Sequence, residues 1–161
     1  MGEKERNFIV GILTRDEKVN KVLIEKFEGQ KNIAIIDLMN MDGELAKKFI
    51  NSSRVDVVVA SEEAFVNPEQ SQKVDELIKT DINTTFLTIY NKENSKSMRK
   101  IEDDLQAKEA LLIPCKVESN LDYFMLATNA QGAIHRKIHN DLRIKKVISD
   151  LADSFTDRDE K

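Results

Sequence analysis

Several residues that could take part in phosphate or metal chemistry follow short apolar runs of the sequence. The acidic pair Asp16 and Glu17 comes just after residues 8–13, and carboxylate oxygens are ligands that Mg²⁺ prefers. Ser61 follows residues 55–60, but a serine hydroxyl is weakly acidic and needs an activating base to act as a nucleophile. These residues define a candidate polar site that depends on the fold around them.

Cys115 and the pair His135 and His139 are further candidates for reactivity or metal binding. Lys116 follows Cys115, and a neighbouring cation favours the reactive thiolate. The histidines lie four residues apart, on one side of a helix, but two ligands are too few for a closed metal site. GxGxxG, P-loop and GxSxG motifs do not occur in the sequence. We therefore expect an idle thiol, surface histidines, no metal and no cofactor.

The elements that must position these residues alternate between short β-branched runs and longer stretches of helical periodicity. Strands are predicted at residues 8–13, 32–36, 55–60, 85–90 and 110–113, the last ended by Pro114. Helices are predicted at residues 16–27, 42–50, 71–79, 97–105 and 118–155. Strands as uniformly β-branched as residues 55–60 suit a parallel sheet covered on both faces. The pattern predicts a doubly wound α/β sheet whose functional edge is formed by the carboxyl ends of the strands.

Two segments of this pattern resemble the receiver domain of bacterial response regulators. The segment DGELAKKF, which begins at Asp42, is similar to the DGxEA-type start of the second receiver helix. The segment RVDVVVAS, which ends at Ser61, is similar to the strand that delivers the phosphoacceptor. The resemblance covers residues 7–128 and implies a flavodoxin-like, five-stranded parallel sheet with strand order 2-1-3-4-5. Residues 129–155 would form a C-terminal helical extension, and residues 156–161 a frayed acidic tail.

The residues at the phosphorylation site depart from the receiver pattern. That pattern has two acids after the first strand, an acid after the third, a Thr or Ser after the fourth and a Lys after the fifth. The corresponding residues here are Arg15, Asp16, Glu17, Ser61, Thr88, Pro114 and Lys116. An arginine brings a positive charge to the place of a cation, and a serine is not an equivalent acceptor. The resemblance therefore implies a degenerate pocket in a pseudo-receiver that is not an enzyme.

The acids after Ser61 have a second interpretation. Glu62 or Glu63 could act as a standing negative charge that mimics phosphorylation, although two solvated loop acids are the simpler interpretation.

The predicted C-terminal helix is about 50 Å long at about 1.5 Å per residue, whereas the domain is about 30–35 Å across. Its apolar side carries Ala130, Ile134, Ile138, Leu142, Ile144, Ile148, Leu151 and Phe155. Exposure of these side chains would forgo on the order of 20 kcal/mol. We therefore expect them to pack against a second copy, a partner protein or the domain itself. The spacing, 4-4-4 and then 4-3-4, is not a clean heptad and favours a short antiparallel or four-helix dimer interface.

A second face of this helix is basic. It carries Arg136, His139, Arg143 and Lys146 at spacings of 3, 4 and 3. Residues 134–148 contain five Lys or Arg and one Asp, a local charge of +4 in a chain of net charge −4. Nucleic acid or an acidic partner could use this stripe, but a solvated face is the simpler interpretation.

The composition narrows the class of protein. The 161 residues are 40% hydrophobic, with one cysteine, and lack both the apolar run of about 20 residues of a membrane span and a secretory signal. We therefore expect a cytoplasmic protein without membrane insertion. The favoured function is a non-catalytic pseudo-receiver that binds an unidentified signalling partner and forms a homodimer through its C-terminal helix.

Two other functions stay open. One is a divergent, phosphorylatable response regulator of a two-component system, with Asp16 and Glu17 as metal ligands and Asp56 or Ser61 as acceptor. The other is a small-ligand-binding or enzymatic flavodoxin-like domain. Its site would combine Ser61, Cys115 and Lys116.

Overall fold

Strands and helices alternate along the chain. The computed structural model describes residues 7–81 and 83–159, with side chains through residue 154. The strands are β1 (Phe8–Leu13), β2 (Ile33–Asp37), β3 (Val57–Ala60), β4 (Thr85–Tyr90) and β5 (Leu111–Lys116). The helices are α1 (Glu17–Phe27), α2 (Gly43–Ser52), α3 (Glu63–Val66), α4 (Pro68–Thr80), α5 (Ser95–Ala107) and α6 (Asn120–Asp159).

The five strands form one parallel sheet in the order β2-β1-β3-β4-β5, which confirms the predicted fold class and strand order. Successive side chains of a strand point to opposite faces, so β3 supplies two cores. Val57 and Val59 pack towards α1 and α6, whereas Val58 and Ala60 pack towards α2, α4 and α5. Both faces are therefore covered, as the β-branched run predicted.

The prediction that Pro114 ends the last strand is wrong. β5 continues to Lys116, and Pro114 lies opposite Thr88 of β4. β5 is an edge strand, so no neighbouring strand lies on its outer side to accept a hydrogen bond. The missing N–H of a proline therefore costs the sheet no hydrogen bond on that side. The short helix α3 was also not predicted, since four residues carry too little periodicity.

A buried lysine fastens the loop that follows β2. The ammonium of Lys73, on α4, donates to the carbonyl oxygens of Leu38 (2.8 Å), Met39 (3.3 Å) and Met41 (2.8 Å). Gln70 adds a bond from its amide to the carbonyl of Met39, at 3.2 Å. Burial lowers the pKa of Lys73, so these three acceptors offset a desolvation cost.

α6 crosses the sheet and continues beyond it. Its first half packs against α1, β3 and β5 through Leu126, Ala127, Ala130, Ala133 and Ile134. Lys137 donates to the carbonyl of Asn83, which precedes β4, so this part of α6 has reached the amino edge of the sheet. We call residues 142–159 the overhang, and every side chain described in it is exposed. No helix in the described part of the chain has an apolar stretch long enough to span a membrane.

Candidate functional site

The loop between β1 and α1 is held by its own polar side chains. The carboxylate of Asp16 caps α1 by accepting from the backbone N–H of Lys18 at 3.0 Å. Its other oxygen accepts from the Tyr123 hydroxyl of α6 at 2.5 Å. Burial, and after it the bond to Asp16, raises the pKa of Tyr123 to about 12. Asp16 therefore joins α1 to α6, a contact between residues 107 positions apart that the sequence did not indicate.

An ion pair bridges the loops that follow β1 and β3. Arg15 Nε lies 2.8 Å from Glu63 Oε1, so the charge of Glu63 is compensated. Glu62 accepts a hydrogen bond from the Ser97 hydroxyl of α5 at 2.9 Å. The backbone of Ser61 joins this region to β1, because its N–H donates to the carbonyl of Leu13 at 3.2 Å. Both acids proposed as phosphate mimics are thus bound to neighbouring elements.

Thr88 and Lys116 do not face a common pocket with Ser61. Thr88 is fully buried inside β4 and donates to Glu102 of α5 at 3.2 Å, which corrects its placement as a pocket hydroxyl. Lys116 ends β5, and its ammonium lies 3.1 Å from Glu118, whose carboxylate raises the pKa of Lys116. β4 lies between β3 and β5, so the backbones of Ser61 and Lys116 are about 10 Å apart, and the Lys116 ammonium is held by Glu118.

The metal ligands of the phosphorylatable alternative are not assembled. Glu17 lies exposed in the first turn of α1, while Asp16 is held by Tyr123. Asp56, the alternative acceptor, is buried at the amino end of β3 and accepts from the N–H of Ile9 at 2.9 Å. It therefore lies at the edge of the sheet opposite to Ser61. Among residues 7–81 and 83–159, no group of three or more His, Cys, Asp or Glu side chains is placed to hold a metal ion.

Cys115 has the environment of a buried structural thiol. Burial raises the pKa of Cys115, and the amide of Asn129 donates to its sulfur at 3.6 Å. A raised pKa disfavours the thiolate. His135 and His139 are both exposed on α6. The trio of Ser61, Cys115 and Lys116 is therefore not brought together.

The overhang presents a different kind of surface. α6 carries one seam with alternating spacings of 4 and 3, formed by Tyr123, Ala127, Ala130, Ile134, Lys137, Asp141, Ile144, Ile148, Leu151 and Phe155. Lys137 and Asp141 interrupt its apolar character, so the seam is not a continuous apolar heptad. The first half of the seam packs on the domain, and the second half lies in the overhang. The side chain of Phe155 lies outside the described residues.

Three residues of the predicted partner surface have other positions. Ile134 is 0% exposed and Ile138 packs against the same core, so neither is available to a partner. Leu142 is exposed but lies about 120° around the helix from Ile148, away from the seam. Val147, which was not predicted as part of the partner surface, is exposed beside the seam.

The basic stripe lies on the side of α6 away from the seam, and Arg136, His139, Arg143 and Lys146 are all exposed. Next to the overhang, at the amino edge of the sheet, is an open groove of about 660 Å³. It is lined by Arg54, Asn83, Leu111, Lys137, Asn140, Asp141, Arg143 and Ile144.

Comparison with known proteins supports the fold alone. None of the known protein-family models matches the chain, and no curated protein is significantly similar to it in sequence. A flavodoxin-like domain from Synechococcus sp. superposes with a TM-score of 0.54 at 8% identity, over 83% of this chain and 99% of that one. A diflavin flavoprotein A3 from Nostoc sp. gives 0.56 at 7% identity, over 86% and 99%. An adenylate cyclase from Rhodopirellula baltica gives 0.51 at 9% identity, over 86% and 98%. These similarities establish a flavodoxin-like α/β fold.

The loop after β1 does not fit the phosphate of a flavin. In sheets of this strand order FMN binds at the β1/β3 switch point, and a phosphate favours the positive N-terminus of a helix. At α1 that position is taken by the carboxylate of Asp16, and Glu17 adds a second acid in the first turn. Arg15, the nearby cation, is paired with Glu63. The charge at this helix end would repel a phosphate.

Proposed function

We propose that this chain is a non-enzymatic, receiver-like module that acts through protein–protein contacts and self-associates through the overhang of α6. The observation that carries the proposal is the seam of α6. It is buried by the domain up to Ile134 and then continues into solvent, where Ile144 is 57% and Ile148 61% exposed. A helix that continues its core-facing seam beyond its own domain presents a ready surface for another helix.

The size of this surface is consistent with self-association. Ile144, Val147, Ile148 and Leu151 each expose about 100 Å², so two copies could bury about 800 Å² of apolar surface. Specific interfaces bury about 1,200–2,000 Å² in total. Polar atoms along the overhang would supply the remainder, as at the rim of other interfaces.

The carboxyl edge supports the non-enzymatic part of the proposal. Its polar side chains bind each other in pairs, among them Arg15 with Glu63, Asp16 with Tyr123 and Lys116 with Glu118. A phosphoacceptor site needs acids that converge on a cation. The pairs observed here fasten loops and helix ends instead.

Two measurements on the full-length chain test the proposal. The protein is incubated with acetyl phosphate and Mg²⁺, and its mass is measured by mass spectrometry and, for the native state, by light scattering. We expect no stable phosphate incorporation and a native mass twice that of the chain. Phosphate incorporation that is lost in Ser61→Ala or Asp16→Asn would contradict the non-enzymatic part. A monomer at all accessible concentrations would contradict self-association.

A further inference from the structure

We propose that the free edge of β2 binds an extended, apolar segment of a partner protein, which adds to the sheet as a further strand. This inference rests on the proposed function, in which the chain acts through protein–protein contacts. It names one contact surface and the chemistry of the partner that the surface fits, and it does not involve the overhang of α6.

The backbone of β2 has hydrogen-bonding groups that point away from the sheet. The N–H of Phe8 donates to the carbonyl of Asn32 at 2.8 Å, so the even-numbered residues along β2 bond to β1. The outward groups are the carbonyl of Ile33 and both the N–H and the carbonyl of Ile35 and of Asp37. β2 ends the strand order, so no strand in the described part of the chain pairs with these groups.

The other edge of the sheet, at β5, is protected against pairing. The N–H of Val117 donates to the carbonyl of Tyr90 at 2.8 Å, so the odd-numbered residues of β5 bond to β4. Pro114 and Lys116 therefore face outward. Proline has no N–H to donate, and an edge lysine discourages a further strand. β2 has neither residue over Ile33–Ile36, which is wholly apolar, so its edge is the better suited to strand addition.

α1 places an apolar side chain beside the β2 edge on one face of the sheet. Lys26 lies over the ring of Phe124 of α6, 5.0 Å from its centroid, so this flank of α1 faces α6. Ile24 lies about 160° around the helix from Lys26, on the flank away from α6, and is 58% exposed. Ile33 and Ile35 of β2 are half-buried on the same face.

α2 borders the same edge on the other face of the sheet. A cavity between α2 and α4 is lined by Lys47 and Glu76, so this flank of α2 faces α4. Leu45 lies about 160° around the helix from Lys47, on the flank away from α4, and is 56% exposed. Ile36 and Phe49, both half-buried, pack towards the same core. The edge of β2 is therefore bordered by apolar side chains on both faces.

An extended backbone is the ligand that fits this edge. The outward groups recur at every second residue, about 6.6 Å apart, which is the spacing that a paired strand presents. Successive side chains of an added strand point to opposite faces, so alternate residues would contact Ile24 on one face and Leu45 on the other. Because both borders are apolar, we expect the segment to be a run of β-branched residues and not an alternation of apolar and polar ones.

A second copy of this chain fits the edge less well than such a segment. Two copies paired antiparallel about Ile35 set Asp37 of one opposite Ile33 of the other, a carboxylate against an apolar side chain. Two copies paired about Ala34 match Ile33 with Ile35, but residues 31 and 32 lie in a turn and end the pairing there. A partner segment has neither restriction, because its own sequence can be apolar at every position.

Hydrogen exchange of individual amides, followed by NMR on the full-length chain, tests the inference. The probe is the peptide acetyl-KTVIVIVTK-amide. In dilute protein without peptide, we expect the Ile35 amide to exchange at least about 10-fold faster than those of Ala34 and Ile36, which bond to β1. The peptide should slow exchange at Ile35 and Asp37 at least about 10-fold. The same peptide methylated on every backbone nitrogen should not, because it has no N–H to donate.

Substitutions at the two borders connect this protection to the proposed contact. Ile24→Lys and Leu45→Lys change exposed sites, so the domain stays folded. Each should raise the dissociation constant of the peptide at least about 10-fold. Leu121→Lys is the control and should leave the constant unchanged, because Leu121 is 68% exposed on α6, which packs over β3 and β5.

Three results would overturn the inference. The first is unchanged exchange at Ile35 in the presence of excess peptide, or equal weakening of binding by all three lysine variants. The second is protection of Ile35 in the dilute chain without peptide, which would show that the chain covers its own edge. The third is protection that appears without peptide as the protein concentration rises, which would show that a second copy covers it.

The proposed function is tested separately on the same protein. A failed peptide test, together with a native mass twice that of the chain and no phosphate incorporation, would overturn this inference and leave the proposed function standing. Phosphate incorporation or a monomeric chain, together with protection of Ile35 by the peptide, would overturn the proposed function and support the β2 edge as a contact surface.

Discussion

The carboxyl edge of the sheet and the overhang of α6 differ in how their side chains are satisfied. At the carboxyl edge, Asp16, Glu63 and Lys116 each bind a partner within the chain. In the overhang, Ile148 and Leu151 face solvent although they continue a core-facing seam. The resemblance to a receiver therefore directs attention to the end of the molecule where these polar side chains are paired within the chain. The exposed apolar side chains of the overhang lie at the opposite end.

The largest expected effect separates the two halves of α6. Ile134→Ala should lower the free energy of unfolding by about 2–4 kcal/mol, because it removes methyl groups from a packed core. Ile148→Ala, the matched variant at an exposed site, should change the stability of the domain by less than about 0.5 kcal/mol. Urea unfolding at low protein concentration measures both. Equal losses of stability in Ile134→Ala and Ile148→Ala would show that the overhang packs on its own domain.

A second prediction concerns the loop fastened by Lys73. Lys73→Met should lower the free energy of unfolding by about 2–3 kcal/mol, since three carbonyl groups lose their donor in a buried site. Lys47→Met on the exposed side of α2 is the control, with an expected change below about 0.5 kcal/mol. An unchanged free energy of unfolding in Lys73→Met would mean that other donors bind the three carbonyl groups of the loop.

The sequence predicted the sheet well because each strand is a local pattern. The run of residues 55–60 carries its own evidence for burial on both faces, and no distant contact is needed to recognise it. The choice of Ile134 and Ile138 for the partner surface failed because burial along α6 depends on where the sheet ends below it. Pro114 was misjudged for a different reason: proline usually ends a strand, but the edge position that the predicted strand order already gave to β5 tolerates it.

The bonds at the candidate site were harder to predict. Tyr123 and Asp16 are 107 positions apart, and Lys73 reaches carbonyl groups more than 30 residues away. Residue types reveal neither contact. The departures from the receiver pattern, in contrast, were visible in the sequence because a motif fixes the positions that are compared.

The smallest effect is expected at the carboxyl edge. Tyr123→Phe removes one hydrogen bond to Asp16 and should cost about 1 kcal/mol. Because the pKa of Tyr123 is raised to about 12 from an ordinary value of 10, its contribution is fully present below pH 10 and is lost as the pH rises towards 12. The stability of the wild-type chain should therefore fall across this window more steeply than that of Tyr123→Phe. If the stabilities of the wild-type chain and of Tyr123→Phe change with pH in the same way, the hydrogen bond between Tyr123 and Asp16 is contradicted.

The most direct measurement compares the two ends of the molecule in one assay. The dimer dissociation constant of the full-length chain is determined by sedimentation equilibrium for Ser61→Ala, Leu151→Lys and Leu142→Lys, the last being an equally exposed leucine off the seam. The account predicts that Leu151→Lys raises the constant at least about 100-fold and that the other two variants leave it nearly unchanged. A dimer that survives Leu151→Lys and is weakened by Ser61→Ala would contradict it.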